Sequence, residues 1–235
     1  MTPERQAPDA DALERLSARA LREVPDGALI GLGSGHTAAA FVRALGRRVR
    51  EGLRVRGVPT SEATARLARE VGVPLATLDE GILDLTVDGA DEVDPRLDLI
   101  KGYGGALVRE RIVAAAARRL LIVVESEKLV PVLGKRGRLP VEVIPFASPL
   151  VMRELAARGC RPALRTVDGR VFVSDNGNWI VDCGVRPIEA PEPFARDLRA
   201  IPGVVETGLF LGMADLVLVA EAGRIREVKR GQTSA

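Results

Sequence analysis

With 235 residues, 46% of them hydrophobic, the chain is long enough to bury one large core or two modest ones. Its 34 basic and 32 acidic residues leave a formal charge of +2, so no field of one sign calls for nucleic acid or an anionic membrane. Cys160 and Cys183 have no metal-ligand spacing, the opening MTPERQAPDADALERL lacks an apolar signal core, and no apolar run reaches membrane-spanning length, so we expect a soluble cytoplasmic protein with reduced thiols.

From residue 10 to about 133, helical and strand patterns alternate. DALERLSARALREV has a helical period, ALIGLG is a short apolar strand, and TAAAFVRALGRRVREG is a helix stopped at Gly52. RVRGVPT is a strand, SEATARLAREVG a helix capped by Ser61, LDLTV a strand, ALVRERIVAAAARR a helix and LLIVVE a buried strand. Such alternation implies βαβ units and a doubly wound, mainly parallel sheet of Rossmann-like type. After VLGKRGRLP the order changes. VEVIPF, PLVMRELAARG, RPALRT, NWIVDCG, PEPFARDLRAIPG and VVETGLF spell a βαββαβ motif of ferredoxin-like type, and ADLVLVAEAG and RIREVKR are strands expected to return to the first sheet. The expected division is an α/β Rossmann-like catalytic domain of residues 1–134 and 206–235 and a smaller ferredoxin-like α+β domain of residues 135–205.

Ligands of an open α/β sheet bind beyond the carboxyl ends of its strands, so the stretch following each strand is informative. The first is GLGSGHT, where glycines and small hydroxyl residues open a helix and make a candidate phosphate cradle from Ser34, Gly35, His36 and Thr37. The plainer alternative is a tight turn with Ser34 or Thr37 as the helix cap. GSGHTA also satisfies a dinucleotide pattern, but the second strand ends in Thr60 and Ser61 instead of the acid that a ribose hydroxyl would need. In TVDGADEVD, Asp88 falls just past the strand and the permissive Gly89-Ala90 step lets Asp91 face the same crevice; Glu92 and Asp94 are expected to be solvated turn acids.

KGYGGALVRERIVA carries the chemistry furthest. The chain has 30 arginines but four lysines, Lys101, Lys128, Lys135 and Lys229, so a lysine inside a motif suggests a need for a compact ammonium. Lys101 opens the loop Gly102, Tyr103, Gly104, and Lys128 follows the next strand in VESEK. Glu110 lies three residues from both Leu107 and Val113, on the apolar face of its helix, where desolvation raises a carboxyl pKa and suits a general base. A phosphate for the first loop, hydroxyls for the aspartates, an oxyanion for Lys101 and a carbon-bound proton for Glu110 together describe a sugar-phosphate isomerase.

GLGSGHTA, VPTSEAT, DGADEVD, KGYGGALVRE, VIPFASPLV, NGNWIVDC and GVVETGLFLGMA occur in the order and approximate spacing of type A ribose-5-phosphate isomerases, and the chain resembles that family over nearly its whole length. The resemblance implies interconversion of D-ribose 5-phosphate and D-ribulose 5-phosphate in the non-oxidative pentose phosphate pathway, through an enediolate and without metal or cofactor. It implies Glu110 as the proton carrier, Lys101 as oxyanion stabiliser, Asp88 and Asp91 on substrate hydroxyls, and the Ser34–Thr37 loop with Lys128 on phosphate. A homodimer is expected, with no nucleic-acid or membrane partner. The chain departs from the usual pattern at His36 (usually Ser), Tyr103 (usually Gly), ESEK and Thr207 (usually His), and Leu13, Glu14 and Arg15 stand where a phosphate-binding lysine pair is common. His36, the only histidine, could donate to phosphate or face solvent. Three alternatives fit less well. A hexosamine-phosphate isomerase usually needs a downstream histidine, a sugar-phosphate sensor needs a helix-turn-helix for which about ten leading residues are too few, and a dinucleotide oxidoreductase lacks its acid.

Overall fold

The computed structural model describes residues 10–231; the expected loose N-terminal tail lies outside them. In chain order the elements are α1 (Ala10–Leu21), β1 (Ala28–Leu32), α2 (His36–Arg50), β2 (Val55–Pro59), α3 (Glu62–Val71), β3 (Leu85–Asp88), β4 (Glu92–Val93), β5 (Leu99–Ile100), α4 (Leu107–Ala115) and β6 (Leu120–Glu125). They continue with β7 (Arg138–Val143), α5 (Ser148–Ala157), β8 (Arg161–Leu164), β9 (Thr166–Val167), β10 (Arg170–Val171), β11 (Trp179–Gly184), α6 (Pro191–Arg199), β12 (Val204–Thr207), β13 (Leu209–Phe210), β14 (Leu216–Glu221) and β15 (Arg224–Lys229).

The main sheet has the order β15-β14-β6-β3-β1-β2 and is parallel except for the edge strand β15. It is the expected α/β sheet, and the two C-terminal strands return to it. After β2 the chain crosses back over β1 to form β3, so the strand order reverses between β1 and β3, where a crevice opens beyond the strand ends. One face packs on α1 and α2 through Leu16, Phe41 and Leu45, all essentially inaccessible to water. Burial of such side chains contributes about 1.5–3 kcal/mol each. On the other face, Val113 of α4 packs with Val58 and Leu83.

The second sheet, β12-β7-β11-β8, is antiparallel throughout and has the order of a split βαββαβ unit, with α5 and α6 contributing Val151, Leu155, Ala195 and Leu198 to its core. Two sequence expectations change here. VVETGLF is not one strand: it divides at Gly208 into β12 and β13, and β13 joins a small sheet with β5 and β4 that local pattern did not reveal. Gly208 donates to the Pro140 carbonyl and accepts from the Lys101 amide at 2.9 Å, and a Cβ there would meet the Lys101 carbonyl oxygen at 2.4 Å. Strand β7 also begins at Arg138, earlier than VEVIPF suggests, because Arg138 to Pro140 pair with Gly184 to Asp182.

The helix read from ALVRERIVAAAARR is shorter than expected, since the Arg118 amide turns away to the Leu83 carbonyl. Glu92 and Asp94 are not solvated. Glu92 is wholly buried and accepts from the amides of Gly134 at 2.7 Å and Arg136 at 2.8 Å, while Asp94 accepts from those of Arg96 and Asp98. Loop amides turned away from water need acceptors, and these carboxylates supply them, with the bonds to Gly134 and Asp98 buried.

Candidate active site

The loop after β1 is held to the end of β3 by backbone proximity. Gly33 lies so close to Asp88 that a Cβ would meet its Oδ1 at 2.2 Å, and the amides of Ser34 (3.0 Å) and Gly89 (2.7 Å) both donate to that oxygen. Gly35, at φ 94°, is the N-cap of α2 and makes no side-chain cap bond, so neither Ser34 nor Thr37 is the cap. The Ser34 hydroxyl instead joins a cluster with Thr60, Ser61 and Thr64, all within 2.8–3.2 Å. Ser61 caps α3 as expected, accepting from the Thr64 amide at 3.0 Å.

Lys101 is at the centre. The residue is only 2% exposed, and its ammonium lies 3.0 Å from Asp88 Oδ2 and 3.2 Å from Glu110 Oε1 and donates to the Gly89 carbonyl. Burial acts to lower the Lys101 pKa, but Asp88 and Glu110 outweigh it and hold it above the ordinary lysine value. Glu110 is raised all the same. Its burial is the largest cause; Lys101 opposes the shift, and the charges of Asp88 and Asp91 add to it. The two directions are compatible because one ammonium is shared between carboxylates, which leaves Glu110 incompletely compensated. Among the described residues Glu110 Oε2 has no hydrogen-bond partner, although it is buried. Asp91 accepts from the Tyr103 amide at 2.9 Å, and burial raises its pKa against that bond and the nearby Lys101 charge.

These groups open onto a cavity of about 480 Å³ lined by Ser34 to Thr37, Gly89 to Asp91, Lys101 to Gly104, Glu110 and Lys128. Asp88 is fully buried and does not line it; Asp88 stands behind Lys101. His36 lines the rim with its Nε2 2.7 Å from Glu125 Oε2, and Lys128 lies 3.3 Å from Glu127. Two lining residues, Val124 and Arg138, escaped the sequence reading. Arg138 comes from β7, donates to Asp182 at 2.8 Å and lies over the Tyr103 ring at 4.7 Å. No local motif marks it, because its approach depends on the second sheet. Among the described residues no three His, Cys, Asp or Glu side chains converge as a metal-ligand set.

The cavity therefore combines a carboxylate with a free oxygen, a buried ammonium beside it, and a helix N-terminus and further cations suited to an anion. The family model for ribose 5-phosphate isomerase A (phosphoriboisomerase A) matches residues 56–224. The chain belongs to the ribose 5-phosphate isomerase A family. A relative of that name from Bradyrhizobium diazoefficiens is 52% identical over 233 residues, which cover 94% of this chain and 96% of the relative. Two solved ribose 5-phosphate isomerases share the fold. That of Methanocaldococcus jannaschii has a TM-score of 0.89 at 41% identity, covering 93% of this chain and 98% of its own, and one in complex with phospho-erythronic acid has a TM-score of 0.90 at 37% identity, covering 94% and 98%. The part matched by the ribose 5-phosphate isomerase A family model contains Asp88, Asp91, Lys101, Glu110 and Lys128.

Proposed function

We propose that this aldose–ketose isomerase interconverts D-ribose 5-phosphate and D-ribulose 5-phosphate through an enediolate, with Glu110 moving the proton. The observation that carries this reading is a cavity-lining Glu110 whose Oε1 lies 3.2 Å from the Lys101 ammonium while its buried Oε2 has no hydrogen-bond partner among the described residues. In the open-chain aldose, Glu110 takes the proton from C2, the electron pair forms the C1–C2 double bond, and negative charge develops on the C1 oxygen. Lys101 stabilises that charge in a site largely shielded from water, where a preplaced cation is most effective. Glu110 then returns the proton to C1, and a proton moves between the two oxygens to leave the ketone at C2.

Asp91 serves the substrate hydroxyls, ring opening and proton movement between the oxygens. Asp88, enclosed beneath the site, acts chiefly by holding Lys101 and the Gly33–Ser34 turn. The phosphate takes the first-turn amides of α2, the Thr37 hydroxyl and Lys128, with Gly35 letting the backbone approach closely. The reaction belongs to the non-oxidative pentose phosphate pathway, in a cytoplasmic homodimer. Residues 1–134 with 206–235 form the catalytic unit of this reading, and residues 135–205 the smaller one.

Purified protein assayed for ribulose 5-phosphate formation from ribose 5-phosphate in EDTA tests the proposal. Turnover that survives the chelator is expected. Absence of isomerisation, or its appearance only with an added divalent cation, would overturn the mechanism written here.

A further inference from the structure

The turn Ser174–Asn178 of the smaller sheet does not line the cavity, yet its polar atoms reach two helices that carry the site. Its anchor is Glu142 of β7, a wholly buried carboxylate whose Oε1 accepts from the Ser174 hydroxyl (2.8 Å) and the side-chain amides of Asn178 (3.0 Å) and Asn176 (3.2 Å). From this fixed turn, Asp175 Oδ2 accepts at 2.8 Å from the Glu62 amide, one of the orphan donors in the first turn of α3. Arg109, the residue before Glu110, directs three donors outward: Nε to Asn176 Oδ1 at 3.0 Å, Nη2 to the Asp175 carbonyl at 3.0 Å, and Nη1 to Glu62 Oε1 at 2.8 Å.

We propose that the Ser174–Asn178 turn is a positioning element for catalysis, which clamps the first turn of α4 to the first turn of α3 through Arg109 and so sets Glu110 against Lys101. The inference rests on Glu110 as the base. Arg109 and Glu62 alone are a partly exposed ion pair, of the kind that contributes little to stability. What gives the cluster purpose is its geometry. A planar guanidinium that meets three acceptors through its three nitrogens defines an orientation, which a single ion pair does not. Both helix starts are also directly tied to the site, since Ser61 before α3 binds the Ser34 hydroxyl and Glu110 lies one residue past Arg109. A shift of about 1 Å in a reacting group lowers a rate by as much as about 10² without any loss of binding contacts.

Arg109→Ala, Asn176→Ala and Asp175→Asn should be measured for kcat and KM with ribose 5-phosphate, with the folded fraction of each followed by circular dichroism. Arg109→Ala and Asn176→Ala are expected to lower kcat by about tenfold to hundredfold with KM within about threefold, the pattern of a lost transition-state arrangement. Asp175→Asn should stay close to wild type, because its amide oxygen still accepts from the Glu62 amide. If Arg109→Ala does not fold, Asn176→Ala decides the matter. A kcat within about twofold of wild type, a rise confined to KM, or a loss of kcat equal to the loss of folded protein would each overturn the positioning role. An inactive wild type would count against the isomerase reading itself, and is thereby distinguishable.

Discussion

At the level of single residues, the proposed chemistry rests on a buried glutamate and a buried lysine 3.2 Å apart. Glu110→Gln preserves shape but removes the base, so kcat should fall by about 10² to 10⁴ while KM stays within about tenfold; near-normal kcat in steady-state assays would remove Glu110 from the mechanism. The pH dependence has a definite sign. Burial raises the Glu110 pKa, the base works only when ionised, and kcat should therefore rise with pH through an acidic limb above the ordinary glutamate value of about 4.3. Substrate phosphate titrates near about pH 6, so its own pKa must be measured separately.

Lys101 provides a contrast within one residue type. Enclosed between Asp88, Glu110 and the Gly89 carbonyl, its compact ammonium meets three acceptors from one point, a geometry that a planar guanidinium does not reproduce, whereas Lys229 on the edge strand β15 is exposed. Lys101→Arg should lose most of kcat and Lys229→Arg should be indistinguishable from wild type in the same assay. Equal behaviour of the two would mean that the scarcity of lysine carries no information. Both lysines were visible in the sequence. Their difference in burial was not, since burial is set by groups brought in from distant parts of the chain.

For the elements, caps and glycines decide how the post-strand loops meet. Ser61 caps α3 and also completes the hydroxyl cluster around Ser34. Ser61→Ala should cost about 1 kcal/mol of unfolding free energy by chemical denaturation, the usual value of an N-cap, and should raise KM more than it lowers kcat because the Ser34 loop is loosened. No loss of stability would show that the cap bond is replaced by water. The cap itself was legible, because Ser followed by a helical period is a local pattern. The three-stranded sheet of β4, β5 and β13 was not legible, because two-residue strands have no period and exist only through partners distant in the chain.

Across the whole molecule, Glu92 joins the two sheets' segments, since its carboxylate holds the Gly134 and Arg136 amides on the path from β6 into β7. Burial raises its pKa, and the two amide bonds oppose the rise. Glu92→Ala would leave the buried Gly134 amide without its acceptor and should destabilise the protein by about 1–3 kcal/mol for that group, read as a lower denaturation midpoint. A midpoint unchanged from wild type would show that the loop does not depend on this carboxylate.

Local order in the sequence determined the parallel α/β sheet, the βαββαβ unit and the loops that carry Lys101 and Glu110, because helical and strand periods and post-strand glycines are properties of neighbouring residues. The same information places Glu110 on the apolar face of its helix, between Leu107 and Val113. Tertiary structure alone decided that Asp88 stands behind Lys101, that Glu92 and Asp94 are buried acceptors, that Arg138 reaches the cavity, and that Arg109 meets the Ser174–Asn178 turn. Each of these depends on groups brought together from distant parts of the chain. Burial and charge partners are set by packing, and a carboxylate in a turn looks alike in sequence whether it faces water or a loop's amides.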